Sequence, residues 1–260
     1  MVIEVTDLVA HYGPLRVLDG IDMRLHQGEI MVVMGGSGSG KSTLLRHLLG
    51  LNRPTSGRIV LLGTDMARAG ARQMQDLRKN MGVSFQGGAL FNSMTVAENV
   101  MLPLREHTRL DERTMSIMAR MKLEVVNMGG FEHLMPAQLS GGMVKRVALA
   151  RAIVMDPKLL FFDEPSAGLD PVVSAELDEL ILRLRRVMNM SIVVVTHELD
   201  SAFKIADRIM VLDGGRVLQT GTVEEIRRSD NQRIQDLLER RPRILEMDAD
   251  EYLARLTGTE

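Results

Sequence analysis

The feature that most constrains the fold is a glycine-rich segment, GGSGSGKST, which follows directly on an apolar run. The run from Ile30 to Met34 is short and continuous, which predicts a buried strand, and residues 44–49 begin a helical pattern. The spacing G-x-x-x-x-G-K-S between a strand and a helix is typical of a phosphate-binding loop. An ordinary glycine-rich turn is the alternative, which the full spacing disfavours.

The residue types in this loop suit a bound polyphosphate. Gly35, Gly38 and Gly40 let the backbone wrap the phosphates, because glycine tolerates positive φ, and the N–H groups and helix N-terminus then face the negative charge. Lys41 is predicted to be catalytic as the main cation at the γ-phosphate, and the Ser42 hydroxyl to be a ligand of Mg²⁺. The predicted nucleotide contacts are Gly35, Gly36, Ser37, Gly38, Ser39, Gly40, Lys41, Ser42 and Thr43.

Composition limits the classes of protein. A chain of 260 residues with 45% hydrophobic and 25% charged residues is long enough for one large domain or two small ones. The net charge of −2 gives no general attraction to nucleic acid, and the absence of cysteine excludes disulfides and thiolate metal sites. No apolar run approaches the roughly 18 residues of a membrane span, and Glu4 and Asp7 do not suit a signal peptide. We expect a cytoplasmic protein.

The segments around the loop read as short strands. Residues 2–25 predict an antiparallel pair, and Tyr12 precedes its turn, where an aromatic ring can stack on a purine or be an ordinary strand-end tyrosine. Residues 64–80 are polar and are expected to be irregular. The apolar run Gly82 to Phe85 predicts a strand that ends at Gln86, whose amide could reach a nucleotide-bound Mg²⁺ or a water.

Residues 89–149 predict an inserted group of helices, because apolar residues recur there at helical spacing. We expect the insert to be divided into several helices by Pro103, by Gly129 and Gly130, and by Pro136.

Two further apolar runs end in residues that can react. The run LLFFDEP predicts a strand that ends at Asp163 and Glu164; the first could hold Mg²⁺ through water and the second take a proton from an attacking water. The run SIVVVTH ends at His197, at the sheet edge where α/β folds bind ligands, which favours a γ-phosphate contact. The alternatives are an ordinary exit from a strand and a histidine that is only a satisfied polar residue.

The last third of the chain alternates helical and strand patterns. Residues 174–189 predict a helix, residues 213–214 a hairpin turn, and residues 222–225 and 248–251 capping boxes. The amphipathic run at residues 232–242 is expected to be a solvated surface helix, with a subunit contact as the alternative.

Together these residues resemble one family, the nucleotide-binding subunits of ABC transporters, over about residues 1–225. The decisive motif is LSGGM at residues 139–143, which lies upstream of LLFFDEP and is similar to the family signature. The resemblance implies an α/β fold: a P-loop NTPase (RecA-like) core, an N-terminal antiparallel β subdomain and an α-helical subdomain inserted at about 89–152. Residues 226–260 are then a C-terminal helical extension.

The resemblance also implies a head-to-tail dimer, in which the signature of one subunit closes on the γ-phosphate held by Lys41 of the other. The implied roles are adenine stacking for Tyr12, sensing of Mg²⁺ and of the membrane partner for Gln86, Mg²⁺ support for Asp163, general base for Glu164, γ-phosphate contact for His197, bridging of the subunits for Asp170, and phosphate binding across the dimer for Ser140, Gly141 and Gly142. Met143 departs from the usual glutamine, which we expect to tune activity rather than abolish it.

The segment at residues 87–108 and Met143 resemble the ATPase subunits of Mla-type systems, which move phospholipids between the two membranes of Gram-negative bacteria with an Mce-domain partner. This implies two copies of the chain with two permease subunits and an Mce-protein ring at the cytoplasmic face of the inner membrane. It also implies that the tail from about Val223 clasps the neighbouring subunit. No direct contact with nucleic acid is expected.

Three alternatives stay open. A small-solute importer of the same family would share every catalytic residue. DNA-repair and translation factors also use this fold, but they usually carry a long coiled coil or two cassettes. A P-loop kinase or GTPase would leave LSGGM, Glu164 and His197 unexplained.

Overall fold

The computed structural model describes residues 1–241, which form two β-sheets and nine α-helices. The strands are β1 (Ile3–Tyr12), β2 (Leu15–Leu25), β3 (Ile30–Met34), β4 (Ser56–Leu61), β5 (Thr64–Asp65), β6 (Met81–Ser84), β7 (Leu159–Asp163), β8 (Ser191–Val195), β9 (Arg208–Asp213) and β10 (Arg216–Gly221). The helices are α1 (Lys41–Leu48), α2 (Ala71–Lys79), α3 (Val96–His107), α4 (Glu112–Val125), α5 (Gly141–Ile153), α6 (Pro171–Met188), α7 (Leu199–Ile205), α8 (Val223–Arg227) and α9 (Gln232–Leu238), with a 3₁₀ turn at Pro136–Gln138.

The strand order brings four loops to one edge. The first sheet has the order β2-β1-β4-β5 and is antiparallel, and the second has the order β10-β9-β3-β8-β7-β6. In the second sheet every neighbouring pair is parallel except β9 with β10. The carboxyl ends of β3, β8, β7 and β6 therefore lie side by side, and ligands of open α/β sheets bind at this edge.

The parallel sheet separates two hydrophobic cores. On β3, Val32 packs into a core shared with α3 to α7, whereas Val33 packs into a core shared with α1 and the antiparallel sheet. Burial on both faces explains why β3, β7 and β8 are continuous apolar runs rather than alternating ones. The helix after the phosphate loop, α1, and the helix of the signature motif, α5, consequently lie on opposite faces of the sheet.

Most predicted elements are confirmed, including the N-terminal antiparallel pair and the hairpin turn between β9 and β10. The expectation of irregular structure at residues 64–80 is wrong, because β5 and α2 lie there. The apolar residues of α2, Ala71, Met74 and Leu77, are three positions apart, but only Leu77 is buried and the other six residues are polar. Pro103 was expected to divide two helices, but it lies within α3, where Val96, Val100 and Leu104 bury one face against the core and offset the lost backbone hydrogen bond.

The chain after the hairpin packs back onto the sheet. The predicted capping box at the start of α8 is confirmed, with the Glu225 N–H donating to Thr222 Oγ1 at 3.3 Å. Ile226 and Ile234 are fully buried in the same core, so α9 is docked rather than fully solvated. The predicted cap at residues 248–251 lies outside the described residues. Within residues 1–241 every helix is too short or too polar to cross a bilayer.

Candidate nucleotide site

The phosphate loop is held by close packing at two glycines. A Cβ on Gly35 would clash with the carbonyl oxygen of Leu212, and a Cβ on Gly40 would lie 2.7 Å from Leu18 Cδ2. Gly40 also has φ 104°, which favours glycine. Gly36, Ser37 and Gly38 are exposed at the tip, whereas the buried hydroxyl of Ser39 lies beneath it beside Gly35.

The ammonium of Lys41 lies inside the curve of the loop. Its Nζ donates to the carbonyl oxygens of Gly35 at 2.8 Å and of Gly36 at 2.9 Å. An ammonium has three donors, and the contacts above use two. Burial lowers the pKa of Lys41, and the nearby carboxylates of Glu164 and Asp163 oppose this shift.

The start of α1 is suited to an anion. Gly40 occupies the N-cap position and provides no side-chain cap. The first intrahelical bond runs from the Leu44 N–H to the Gly40 carbonyl, so the N–H groups of the preceding residues have no acceptor within the helix. Ser42 is exposed and Thr43 buried in this first turn. Free N–H groups and the helix dipole together make such a terminus a phosphate site.

Asp163 ends β7 and Glu164 follows it, next to β8, as the strand order dictates. Burial, and then the charge of Glu164, raise the pKa of Asp163, while Arg46, Lys145 and Lys41 act in the opposite direction. The Glu164 N–H donates to the Val195 carbonyl at 2.8 Å, and its φ of 48° lies in the left-handed region that side-chain-bearing residues avoid. The backbone therefore turns sharply at this residue.

Three donors orient the Glu164 carboxylate. Oε1 is 2.9 Å from His197 Nδ1, and Oε2 accepts from Thr196 Oγ1 at 3.1 Å and from the His197 N–H at 3.3 Å. His197 Nε2 lies 3.6 Å from the Glu198 carboxylate. The structure thus joins two of the predicted catalytic residues, which are 33 positions apart in the chain.

Tyr12 and Gln86 lie at the margins of the site. Tyr12 is 45% exposed and its hydroxyl accepts from Asn52 Nδ2 at 2.9 Å. A hydrogen bond from Arg46, on the outer face of α1, lowers the pKa of Tyr12. Gln86 is exposed just beyond β6, whose neighbour in the sheet is β7. Both positions are compatible with the predicted contacts, which stay predictions.

The signature residues form the start of α5. Ser140 Oγ accepts the Met143 N–H at 3.3 Å and caps this helix, while Gly141 is exposed. A Cβ on Gly142 would lie 2.9 Å from Val173 in the first turn of α6. The Asp170 carboxylate caps α6 by accepting the N–H groups of Val172 and Val173 at 3.0 and 3.1 Å. The predicted cross-dimer residues are therefore grouped at two adjacent helix starts, away from α1.

Sequence reasoning missed two buried polar groups that support Glu164. One is Thr196, whose contact is given above; the other is Lys145, whose Nζ donates to the Glu164 carbonyl oxygen at 3.0 Å. A threonine beside His197 carries no motif of its own. The helical spacing gave a weak indication that Lys145 is buried, since it stands four residues before Leu149 on the inner face of α5.

Comparison with known proteins identifies the family. Residues 18–167 match the model of the ABC transporter family. The chain is 39% identical over 236 residues to the intermembrane phospholipid transport system ATP-binding protein MlaF of Haemophilus influenzae, covering 91% of this chain and 89% of that protein. It is 38% identical to the probable ribonucleotide transport ATP-binding protein mkl of Mycobacterium tuberculosis, covering 91% of this chain and 66% of that protein.

A solved structure with the same fold is the dimeric post-hydrolysis state of the ATP-binding cassette MJ0796 bound to ADP and Pi. It aligns with a TM-score of 0.78 and 28% identity, covering 85% of this chain and 98% of that one. The predicted fold class is confirmed. With its phosphate loop, its signature motif and its paired glutamate and histidine, the chain belongs to the ABC transporter family and is an ATP-binding cassette ATPase.

Proposed function

We propose that this chain is the motor subunit of a membrane transporter that moves phospholipid between the inner and outer membranes. The observation that supports the motor function is the orientation of the Glu164 carboxylate by His197 and Thr196. The cargo rests on the similarity to MlaF, whose name describes intermembrane phospholipid transport.

In the proposed reaction Lys41 binds the γ-phosphate as a point charge, and the N–H groups at the start of α1 bind the phosphate chain. Glu164 accepts a proton from a water as the oxygen of that water attacks the γ-phosphorus, and ADP leaves. His197 contacts the γ-phosphate and also orients Glu164, whereas Tyr12 stacks on the adenine. The held geometry of Glu164 supports these roles, because a general base must be oriented before the reaction.

The side chains at the strand ends fit Mg²⁺. Ser42, Gln86 and Asp163 offer a hydroxyl, an amide and a carboxylate oxygen at the first turn of α1 and the ends of β6 and β7. Mg²⁺ prefers oxygen ligands and retains waters, so one carboxylate with phosphate oxygens is an ordinary donor set. Bound there, the ion would neutralise charge on the phosphates.

Hydrolysis is proposed to need two copies arranged head to tail. Ser140, Gly141 and Gly142 lie on the opposite face of the sheet from α1, so their binding to a γ-phosphate requires the phosphate loop of another subunit. Asp170, at the start of the adjacent α6, is proposed to bridge the two copies. ATP then shifts the equilibrium toward the closed dimer, and phosphate release shifts it back.

A groove beside the helical insert is proposed to receive a short helix of the permease. The cavity measures about 480 Å³ and lies between α3 and the segment after β6. Its apolar lining includes Phe85 and Phe91, which are 36% and 51% exposed. Exposed aromatic side chains around a concavity are typical of protein-binding sites. The chain would thereby associate with the cytoplasmic face of the inner membrane, in a complex that includes an Mce-domain protein.

A small-solute transporter is the second candidate, and it is supported by the 38% identity to mkl, whose name describes probable ribonucleotide transport. The test is to tag the chain in its native cell, purify it gently from solubilised membranes and identify the co-purifying proteins and lipids by mass spectrometry. A permease with an Mce-domain protein and retained phospholipid supports the lipid cargo.

A solute-binding protein in the complex would overturn the assignment of lipid as the cargo, but the proposed role as a transport ATPase would stand. Ribosomes or nucleic acid without a permease would overturn transport itself. A Lys41→Ala chain, tagged in the same way, is the control that separates assembly from ATP-dependent cargo loading.

A further inference from the structure

We propose that Lys145 is a positioning residue for ATP hydrolysis, which fixes the backbone at Glu164 and couples the signature motif of a subunit to the general base of that same subunit. The inference rests on the proposed roles of Glu164 and of the signature residues. It adds a link between the two nucleotide sites of a head-to-tail dimer, because each subunit places its signature at one site and its general base at the other.

The contact between Lys145 and Glu164 is buried. Lys145 is only 7% exposed, and its Nζ donates to the Glu164 carbonyl oxygen at 3.0 Å. An ammonium is costly to bury unless it is hydrogen-bonded and close to opposite charge. Burial lowers the pKa of Lys145, and the carboxylates of Asp163 and Glu164 oppose that shift. A buried lysine that is hydrogen-bonded to a carbonyl and lies in the field of two carboxylates has a defined position rather than a solvated one.

The backbone at Glu164 is strained, so that it needs support on both sides. Its φ of 48° is unfavourable for a residue with a Cβ. The Glu164 N–H is bonded to Val195 in β8, and its carbonyl oxygen is bonded to Lys145 in α5. These two contacts set the direction in which the side chain leaves the backbone, and hence whether its carboxylate meets Thr196 and His197.

The same helix carries the signature. Lys145 stands three residues after Gly142, which at 1.5 Å per residue is about 4.5 Å along α5. The Gly142 backbone packs against Val173, and Ser140 caps the helix, so the signature and Lys145 belong to one rigid element. A shift of α5 when its signature meets the γ-phosphate held by the partner subunit would therefore reach Glu164 through Lys145.

The test compares Lys145→Met, Lys145→Arg and a matched control in the full-length chain, in the complex in which it co-purifies. Methionine keeps the volume of the stem and removes the donor; arginine keeps a cationic donor. We expect Lys145→Met to lower kcat about 10- to 100-fold, the loss typical of a misplaced catalytic group, with the KM for ATP close to that of the parent. Lys145→Arg should restore most of the lost kcat.

Arg146→Met is the matched control, because it also removes a cation from α5. Arg146 donates to the Val126 carbonyl at 3.2 Å and to Glu176 at 2.6 Å, away from Glu164. It should change thermal stability and leave kcat close to the parent value. If Lys145 only stabilised α5, Lys145→Met and Arg146→Met would instead lose kcat equally, and Lys145→Arg would not restore it.

Two results would overturn the inference separately from the proposed function. If Glu164→Gln is nearly inactive while a folded Lys145→Met retains the parent kcat, Lys145 does not position the base. If Glu164→Gln retains normal turnover, the general base is misassigned, and the proposed coupling of the signature motif to Glu164 is wrong as well. Circular dichroism checks folding. Should Lys145→Met be unfolded, Lys145→Leu replaces it: its apolar side chain also lacks a donor, and a parent kcat there overturns the inference.

Discussion

The substitution Glu164→Gln tests the chemistry with little change of structure. The two carboxylate oxygens have different partners. Oε2 accepts two hydrogen bonds, from the Thr196 hydroxyl and from the His197 N–H, and Oε1 faces His197 Nδ1. A glutamine can place its amide oxygen at Oε2 and its NH₂ at Oε1, where the Nδ1 of the other histidine tautomer accepts. Each hydrogen bond therefore has a replacement, and what is lost is the negative charge of the group together with its basicity.

The expected loss in kcat follows from that difference. General-base catalysis contributes about 100- to 10,000-fold, which corresponds to about 2.7 to 5.4 kcal/mol in the activation free energy. ATP binding should persist, because Lys41 and the start of α1 are untouched. Removing the negative charge beside Lys41 should favour ATP binding and the closed dimer, since Glu164 is one of the two carboxylates that act on that ammonium.

The assay is steady-state ATP hydrolysis at saturating ATP, which gives kcat, with nucleotide binding and dimer formation measured in parallel. The parent chain and Arg146→Met are the controls. A variant that binds ATP, dimerises and hydrolyses ATP at a rate within about tenfold of the parent would refute the assignment of Glu164. A variant that is slow because it is misfolded would show a lower thermal midpoint; because the hydrogen bonds have replacements, we expect the thermal midpoint of Glu164→Gln to equal that of the parent.

Three other substitutions probe the loop, the charge balance and the helical insert. Gly35→Ala should abolish ATP binding, measured with a fluorescent ATP analogue, because its Cβ clashes with the Leu212 carbonyl and displaces the loop. Since burial raises the pKa of Asp163, its ionisation costs stability as the pH rises through that raised pKa. Asp163→Asn should therefore raise the thermal midpoint at pH 7 more than at about pH 4 while abolishing turnover; an equal shift at both pH values would contradict this. Thr95→Ala removes one half of the reciprocal cap with Glu98 at the start of α3 and should cost about 1 kcal/mol in denaturant unfolding, with Thr95→Ser as the control that retains the cap.

Local spacing explains how the residues of the candidate site could be predicted. The phosphate loop, with Lys41 and Ser42, depends on residues adjacent in the chain between one strand and one helix. Asp163 and Glu164 were predicted from the end of an apolar run. The signature motif was equally local, and the comparisons confirm the family that it indicated. Such features can be predicted without knowledge of the whole fold, because a strand-loop-helix segment has few conformations.

The errors also have local causes. The helix α2 was missed because only three of its nine residues are apolar, so their helical spacing was overlooked in a predominantly polar segment. Pro103 was misplaced at a helix boundary because a sequence rule counts the lost hydrogen bond and cannot count the packing of the face that α3 buries.

By itself the sequence determined which chemical groups the chain carries and which of them end strands. Only the tertiary structure decided which strand ends are neighbours. The order β3-β8-β7 puts Thr196 and His197 beside Glu164, and the packing of α5 brings Lys145 to the Glu164 carbonyl. These contacts join residues 19 to 33 positions apart, and a hydrogen bond to a backbone carbonyl requires no particular partner residue. Short-range geometry is encoded in spacing, whereas long-range contacts depend on the free energy of packing the whole sheet and its helices.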